Sequence, residues 1–393
     1  MRRPLLLAAV MVAACTPSPP APGVAASPRA SRPPTAARSP LATPEGPLPG
    51  TPTPTSEGPR PGMPTPTPEG PRPGTPGPAG PPSPPASAVP APTPTPSLRT
   101  PLVETLLAGG LDGPLPFPKA LALGADGAAY VQVGERIVAV DLAAPAHPAT
   151  TLVPAGRLVQ PQAIAVGPDG TRYAVDSTRH RIVSLAADGA PTPLAGSEAG
   201  FADGPGAAAR FTLPAALAVA GTTLYVADAN SVRAIALADP AHPVTTLAGA
   251  AAPGTADGPL GTSRIADPRA LALAGTTLYI GDFYKVRALD LEDPAHAVTT
   301  VAGAEAGDVD GPGGEAGTAR FGRIQGLALA GGRLYVADRQ YSKLKALTLS
   351  GPPTVTTVLA EGLDEPGGLA ADAQGRLYVT AYAGHALKRI TLP

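Results

Sequence analysis

The sequence predicts an all-β fold, a six-bladed β-propeller of four-stranded antiparallel blades closed by an N-terminal strand. Three observations predict it. First, an opening segment of the type Pro-x-Ala-Leu-Ala-Leu recurs at Pro118, Pro161, Pro214, Pro268, Ile324 and Pro366, with Ile in place of Pro in the fifth copy. The intervals are 43, 53, 54, 56 and 42 residues, the period range of repeat architectures. Second, a β-prone segment follows each opening with its tyrosine at Tyr130, Tyr173, Tyr225, Tyr279, Tyr335 and Tyr378. Turns such as Gly221-Thr222-Thr223 stand between the two, which makes hairpins. Third, the last copy ends at Pro393 after its third strand, while an unmatched fourth-strand sequence, Val103 to Gly109, precedes the first copy. Residues 366–393 and 101–117 together number 45, the size of a short complete repeat. A ring closed in this way has no exposed edge, whereas an open stack would need caps.

Each period supplies its four strands in order. In the third copy the opening segment and the Tyr-Val segment are followed by Val232 to Leu237 and then Val244 to Gly249. Small and large residues alternate in the first strands, which lets neighbouring blades interleave. Tyrosine is the main core aromatic, because the chain has no Trp.

Ahead of the repeats the composition changes. Of the 55 prolines, 30 fall in residues 16–100, a density that cannot bury a core and favours extended polyproline II. Within this stretch a twelve-residue unit recurs, as in Glu57-Gly58-Pro59-Arg60-Pro61-Gly62 and Glu69-Gly70-Pro71-Arg72-Pro73-Gly74. The expectation for 15–100 is a disordered tether, able to reach roughly 260 Å at about 3.1 Å per residue. A Pro-rich ligand for an aromatic groove is the alternative. Arg2 and Arg3 followed by the apolar run Leu5 to Ala14 form a secretory signal over 1–14. Val12-Ala13-Ala14-Cys15 resembles the bacterial lipobox, which implies lipidation at Cys15 and attachment to a membrane through the lipid. By resemblance to enteric-type lipoproteins, in which Asp after the cysteine favours the inner membrane, Thr16 implies the outer membrane, and so the cell envelope, periplasmic or surface-exposed. As the only cysteine, Cys15 also excludes an intrachain disulfide.

The segment Ala207-Ala208-Ala209-Arg210-Phe211-Thr212-Leu213-Pro214, followed by Leu224-Tyr225-Val226-Ala227-Asp228, resembles the bacterial form of the NHL repeat, and the resemblance extends over nearly all of 101–393. It implies a propeller but not one activity, since scaffolds, sensors and some lyases share the repeat.

The loops between second and third strands share a face with the interblade segments. Asp203-Gly204, Asp257-Gly258 and Asp310-Gly311 lie in those segments, and Asp112-Gly113 precedes the first blade. They read as ordered turns, because one carboxylate per blade does not assemble the six to eight oxygens that calcium requires. Asp176, Asp228, Asp282 and Asp338 end second strands, with Val133 and Ala381 in their place in blades one and six. Arg181, Arg233 and Arg287 lie five residues after the first three and are expected to pair with them within a blade. His147, His242 and His296 share one repeated position on the opposite face, in separate blades, so they form no metal cluster.

Departures from the repeat mark the candidate binding residues Phe283, Tyr284, Lys285, Arg339, Tyr341 and Tyr382, on three consecutive blades beside His385. Aromatics and Arg on one face suit recognition, and loop aromatics folded down as lids on their own blades are the alternative. The second residues of the first strands, Lys119, Gln162, Ala215, Arg269, Gln325 and Gly367, start the channel wall without a convergent His or carboxylate set. The expectation is therefore a membrane-anchored envelope scaffold binding a protein, peptide or glycan, a monomer with no cofactor, no metal and no enzymatic activity. The alternative is a metal-dependent hydrolase or lyase using the channel. Residues 101–393 carry 21 Lys and Arg against 27 Asp and Glu, which argues against nucleic acid as a partner.

Overall fold

A computed structural model describes residues 100–109 and 113–393. The expected signal and tether, and Cys15 with them, lie outside the described residues, as does Asp112.

Six sheets follow one another along the chain. Blade one contains Pro118–Leu123, Ala128–Val133, Arg136–Asp141 and Ala149–Val153, innermost strand first. Blades two to five repeat that order, beginning with Ile164–Val166, Pro214–Ala220, Pro268–Ala274 and Ile324–Ala330. Blade five gains a fifth strand, the two-residue Gly311–Pro312 paired outside Thr354–Leu359. Blade six has only three strands from its own repeat, Pro366–Ala371, Leu377–Ala381 and Ala386–Thr391. Its outer strand is Leu102–Ala108, antiparallel to Ala386–Thr391 in a register from Leu102 opposite Thr391 to Ala108 opposite Ala386. Arg389 and Glu104 join the two strands at 2.5 Å. The innermost strands touch in ring order, and that of blade six meets that of blade one.

The core lies between blades, not within them. Six apolar clusters each span two neighbours, such as Tyr173 and Val175 of blade two with Leu224, Val226 and Ile235 of blade three. One residue plugs each cluster from the lead-in segment, three positions before the opening residue: Leu115, Leu158, Phe211, Ile265, Phe321 and Leu363, all fully buried.

Buried cations then tie lead-in segments to their blades. Arg233, Arg287, Lys345 and Lys388 occupy one third-strand position in blades three to six, opposite Val226, Ile280, Val336 and Val379. Each donates to the carbonyl just before a plug, at Arg210, Arg264, Arg320 and Gly362. Each also pairs with a lead-in carboxylate: Asp203 at 2.5 Å, Asp257 at 2.5 Å, Asp308 at 2.9 Å and Asp364 at 2.7 Å. Asp203, Asp257 and Asp310 further accept the amide and hydroxyl of an outer-strand threonine, Thr246, Thr300 and Thr357. The Asp-Gly pairs thus do more than turn the chain, since their carboxylates fasten lead-in, third and outer strands together.

Candidate functional site at the lead-in face

Interblade segments and second-to-third hairpins share one face, here the lead-in face. In blades two to five a buried aspartate at the end of the second strand holds the lead-in backbone. Asp228 accepts the amides of Thr212 and Leu213, Asp282 those of Ala266 and Asp267, Asp338 that of Gly322, and Asp176 that of Val159. The expected ion pairs form: Arg181 with Asp176 at 2.8 Å, Arg287 with Asp282 at 3.0 Å and Arg233 with Asp228 at 3.6 Å. Arg181 arrives from a different register, opposite Asp176 itself, because the 3-10 turn Ser177–Arg179 lengthens its hairpin. Burial pushes the carboxyls of Asp228, Asp282 and Asp338 above the ordinary range, against the pull of these amides and of Arg233, Arg287 and Lys345. All four aspartates are structural fastenings.

Val133 and Ala381 cannot accept hydrogen bonds through their side chains, and the lead-in segments of blades one and six are bonded by a side chain of the neighbouring blade. Blade six also keeps its own Lys388 and the backbone bonds of Tyr382 and Ala383. The Nδ1 of His385, in blade six, accepts the amide of Phe117 at 3.1 Å, ahead of blade one. The hydroxyl of Ser342, in blade five, accepts the amide of Glu365 at 3.1 Å, ahead of blade six. Around these cross-blade bonds the side chains of blades five, six and one meet in a rim. Arg339 pairs with Glu365 at 2.9 Å, and its guanidinium lies 4.1 Å from the centroid of the Tyr382 ring. Tyr382 lies 5.2 Å from Phe117, which meets His385 edge-on at 4.4 Å. Phe117 is 41% exposed and has φ 50°. Gln160 and Glu365 also have positive φ, so the residue before the opening proline is left-handed in blades six, one and two. Such backbone costs of order 1–3 kcal/mol each and tends to cluster at sites.

Of the residues singled out in sequence, the rim brings Arg339 and Tyr382 together. Phe283 and Tyr284 of blade four lie with ring centroids 4.0 Å apart and planes tilted by 44°, with Lys285 next in the chain. The carbonyl of Phe283 accepts the amide of Ile324. Tyr341 lies over Gly322 of its own blade, close enough that a Cβ there would come within 2.8 Å of its Cδ2. Sequence reasoning missed Phe117 and Glu365. Both stand immediately before an opening residue, so the signal was a position shared with Gln160, Leu213, Asp267 and Arg323.

Inside the rim, Lys119, Gln162, Ala215, Arg269, Gln325 and the innermost strands of all six blades line a cavity of about 90 Å³. Leu121, Ile164, Leu217, Leu271, Leu327 and Leu369 form a collar at its inner end, and a cavity of about 370 Å³ lined by apolar side chains opens beyond, towards the other face. On that other face His147, His242 and His296 have left-handed backbone in tight turns, their amides bonded to Ala144, Asp239 and Asp293. Among the described residues no group of three or more His, Cys, Asp or Glu converges as metal ligands, and no helix is long and apolar enough to cross a membrane.

No family model matches the chain, and no curated protein matches it in sequence. Solved structures match in fold. A protein of unknown function from Bacteroides thetaiotaomicron is 16% identical with a TM-score of 0.57, over 75% of this chain and 76% of that one. An auxiliary nutrient binding protein from Bacteroides ovatus is 14% identical with a TM-score of 0.56, over 75% and 77%. A gluconolactonase from Xanthomonas campestris is 17% identical with a TM-score of 0.52, over 74% and 89%. At these identities the likeness is one of fold, and it includes binding proteins and enzymes. The expectation of a non-enzymatic protein is therefore corrected: the architecture carries a gluconolactonase. The six channel positions hold no carboxylate or histidine, but the lead-in segments and hairpins place Asp267, Asp364, Glu365 and His385 on the same face.

Proposed function

We propose that the chain is a binding protein of the bacterial cell envelope, lipid-anchored at Cys15 and held off the membrane by the Pro-rich tether, whose lead-in face takes a protein, peptide or glycan. The observation that carries this reading is the rim of Arg339, Tyr382, His385 and Phe117 across blades five, six and one. It forms beside the two blades that lack the second-strand aspartate, and it leaves an aromatic side chain in solvent, a feature of recognition patches. The auxiliary nutrient binding protein with the same fold supports a binding role. Phe283, Tyr284, Lys285 and Tyr341 extend the face along blades four and five. The reading takes the chain as a monomer that binds no nucleic acid.

The test compares full chains carrying Arg339→Ala with Tyr382→Ala against wild type, using glycan and peptide fractions released from the envelope. Retention should fall by about 1–3 kcal/mol if the rim anchors the ligand, with the melting temperature nearly unchanged. Equal retention by wild type and variant would refute the rim. Cys15→Ser should move the protein from the membrane to the soluble fraction, and unchanged membrane retention would refute the anchor.

A further inference from the structure

The six residues that open the channel wall have an order that the repeat does not require. Around the ring, from blade one to blade six, they are Lys119, Gln162, Ala215, Arg269, Gln325 and Gly367. In a six-membered ring, blades one and four face each other, as do two and five, and three and six. Cation therefore faces cation, carboxamide faces carboxamide, and small residue faces small residue. The result is a slot. Lys119 and Gln162 form one wall, Arg269 and Gln325 form the other, and Ala215 and Gly367 leave the two ends open. Gly367 is fixed as glycine by packing, because a Cβ there would come within 2.7 Å of the Lys119 carbonyl and 2.8 Å of the Thr380 hydroxyl. That hydroxyl donates to the same carbonyl at 2.8 Å and locks the strand bearing Lys119.

The slot is built to donate. Its four polar side chains carry an ammonium, a guanidinium and two carboxamides, and none is a carboxylate. Asp267 beside it is shared between Arg269 at 2.6 Å and Arg323 at 3.1 Å. Among the described residues Lys119 has no acidic partner within 4.0 Å, and its ammonium lies 5.9 Å from the Tyr382 ring centroid. Lys119, Arg269 and Arg323 against Asp267 leave a positive mouth in a propeller where acids outnumber bases. Below the mouth the collar side chains are all apolar, so the charged groups of the channel gather at this end.

We propose that this mouth is a site for a small carboxylate, its anionic group held between Lys119 and Arg269, and its hydroxyl or carbonyl groups met by Gln162 and Gln325. The cavity is lined by Lys119, Gln162, Arg269 and Gln325 together, so one small molecule seated there meets all four. The two carboxamides, which accept as well as donate, suit a hydroxy acid better than a fully anionic phosphate. This inference rests on the reading of the lead-in face as the binding face and names the ligand chemistry at its centre.

Calorimetry of the full chain tests it, with sodium glucuronate and malate as carboxylates, glucose as the neutral control and inorganic phosphate as the competing anion. Glucuronate or malate should bind, glucose should not, and raising the salt should weaken binding. Lys119→Met breaks no ion pair among the described residues, so it should fold normally and weaken carboxylate binding tenfold or more. Arg269→Gln should do the same, with circular dichroism confirming its fold. Carboxylate binding unchanged in Lys119→Met, phosphate tighter than either carboxylate, or no carboxylate binding at all would each overturn the proposal. If the carboxylates fail while Arg339→Ala with Tyr382→Ala still loses envelope ligand, the mouth proposal alone falls. If neither variant set changes any binding, the reading of the face falls with it.

Discussion

Blades three to five and blades six and one solve the same problem in different ways. In the first group every lead-in segment is fastened inside its own blade by a plug, a buried cation, a lead-in carboxylate and a second-strand aspartate. Blade one has Val133 and Val138 at the aspartate and cation positions, and blade six retains only the cation, Lys388. His385 of blade six holds the lead-in segment of blade one, and Ser342 of blade five adds a bond to that of blade six beside its own Lys388. Repeated polar residues in this fold are therefore mostly structural, and the rim stands where the repeat gives them up.

The largest expected effect concerns ring closure. Deleting residues 101–109 removes the outer strand of blade six and exposes the edge of Ala386–Thr391, so the cooperative melting transition should be lost or the protein should aggregate. Deleting residues 20–95 should leave the transition in place. Equal melting of the two deletions would break the closure account.

Next come the fastenings. Phe211→Ala should cost about 3–5 kcal/mol, as expected for a fully buried aromatic. Arg233→Met, which strips a buried cation from Asp203 and Asp228, should cost about 3 kcal/mol. Arg339→Met on the rim breaks a partly exposed pair and should cost under about 1 kcal/mol. Denaturant titrations of the three variants check the order, and an equal cost for Arg233 and Arg339 would erase the distinction between fastening and rim.

A smaller effect is readable in pH. Burial first, offset in part by the amides of Thr212 and Leu213 and by Arg233, raises the Asp228 carboxyl above 3.8 in the folded chain. The folded state then takes up this proton at higher pH than the unfolded state, and stability from this group falls as pH rises through the raised value. Asp228→Asn does not titrate there. Wild type should thus gain on the variant as pH drops from 7 towards 4, and a narrowing advantage in thermal melts would contradict the assignment.

The smallest stability effect is expected at Tyr284→Ala with Tyr341→Ala. If the pair anchors a ligand, binding should weaken by about 1–3 kcal/mol while the melting temperature barely moves. A clear drop in melting temperature with full binding by the folded fraction would make both residues lids. The position of Tyr341 over Gly322 makes it the more informative of the two.

The strands, their order and the closing clasp were legible because each rests on a period: six opening residues, six tyrosines and one missing strand. The pairing of Asp176, Asp228 and Asp282 with arginines was legible from hairpin spacing alone. The plugs were not recognised, although each stands three residues before an opening, because Leu, Ile and Phe alternate there without a shared identity. Lys345 and Lys388 escaped for a similar reason, since a longer hairpin places each seven residues after its second strand instead of five and a change from Arg hides both. The side chains of Phe117 and Glu365 meet the rim through cross-blade contacts, which no spacing within one repeat encodes. The slot at the mouth was visible as six residues, but its meaning depends on which blades face each other.

Hydrogen exchange across the whole described propeller tests the central claim most directly. The full chain would be compared with and without the envelope glycan and peptide fractions that it retains. The account predicts slowed exchange in 115–119, 338–343 and 381–386, with the opposite-face turns at 144–148, 239–243 and 293–297 unchanged. Protection confined to those opposite-face turns would contradict the lead-in face as the binding face.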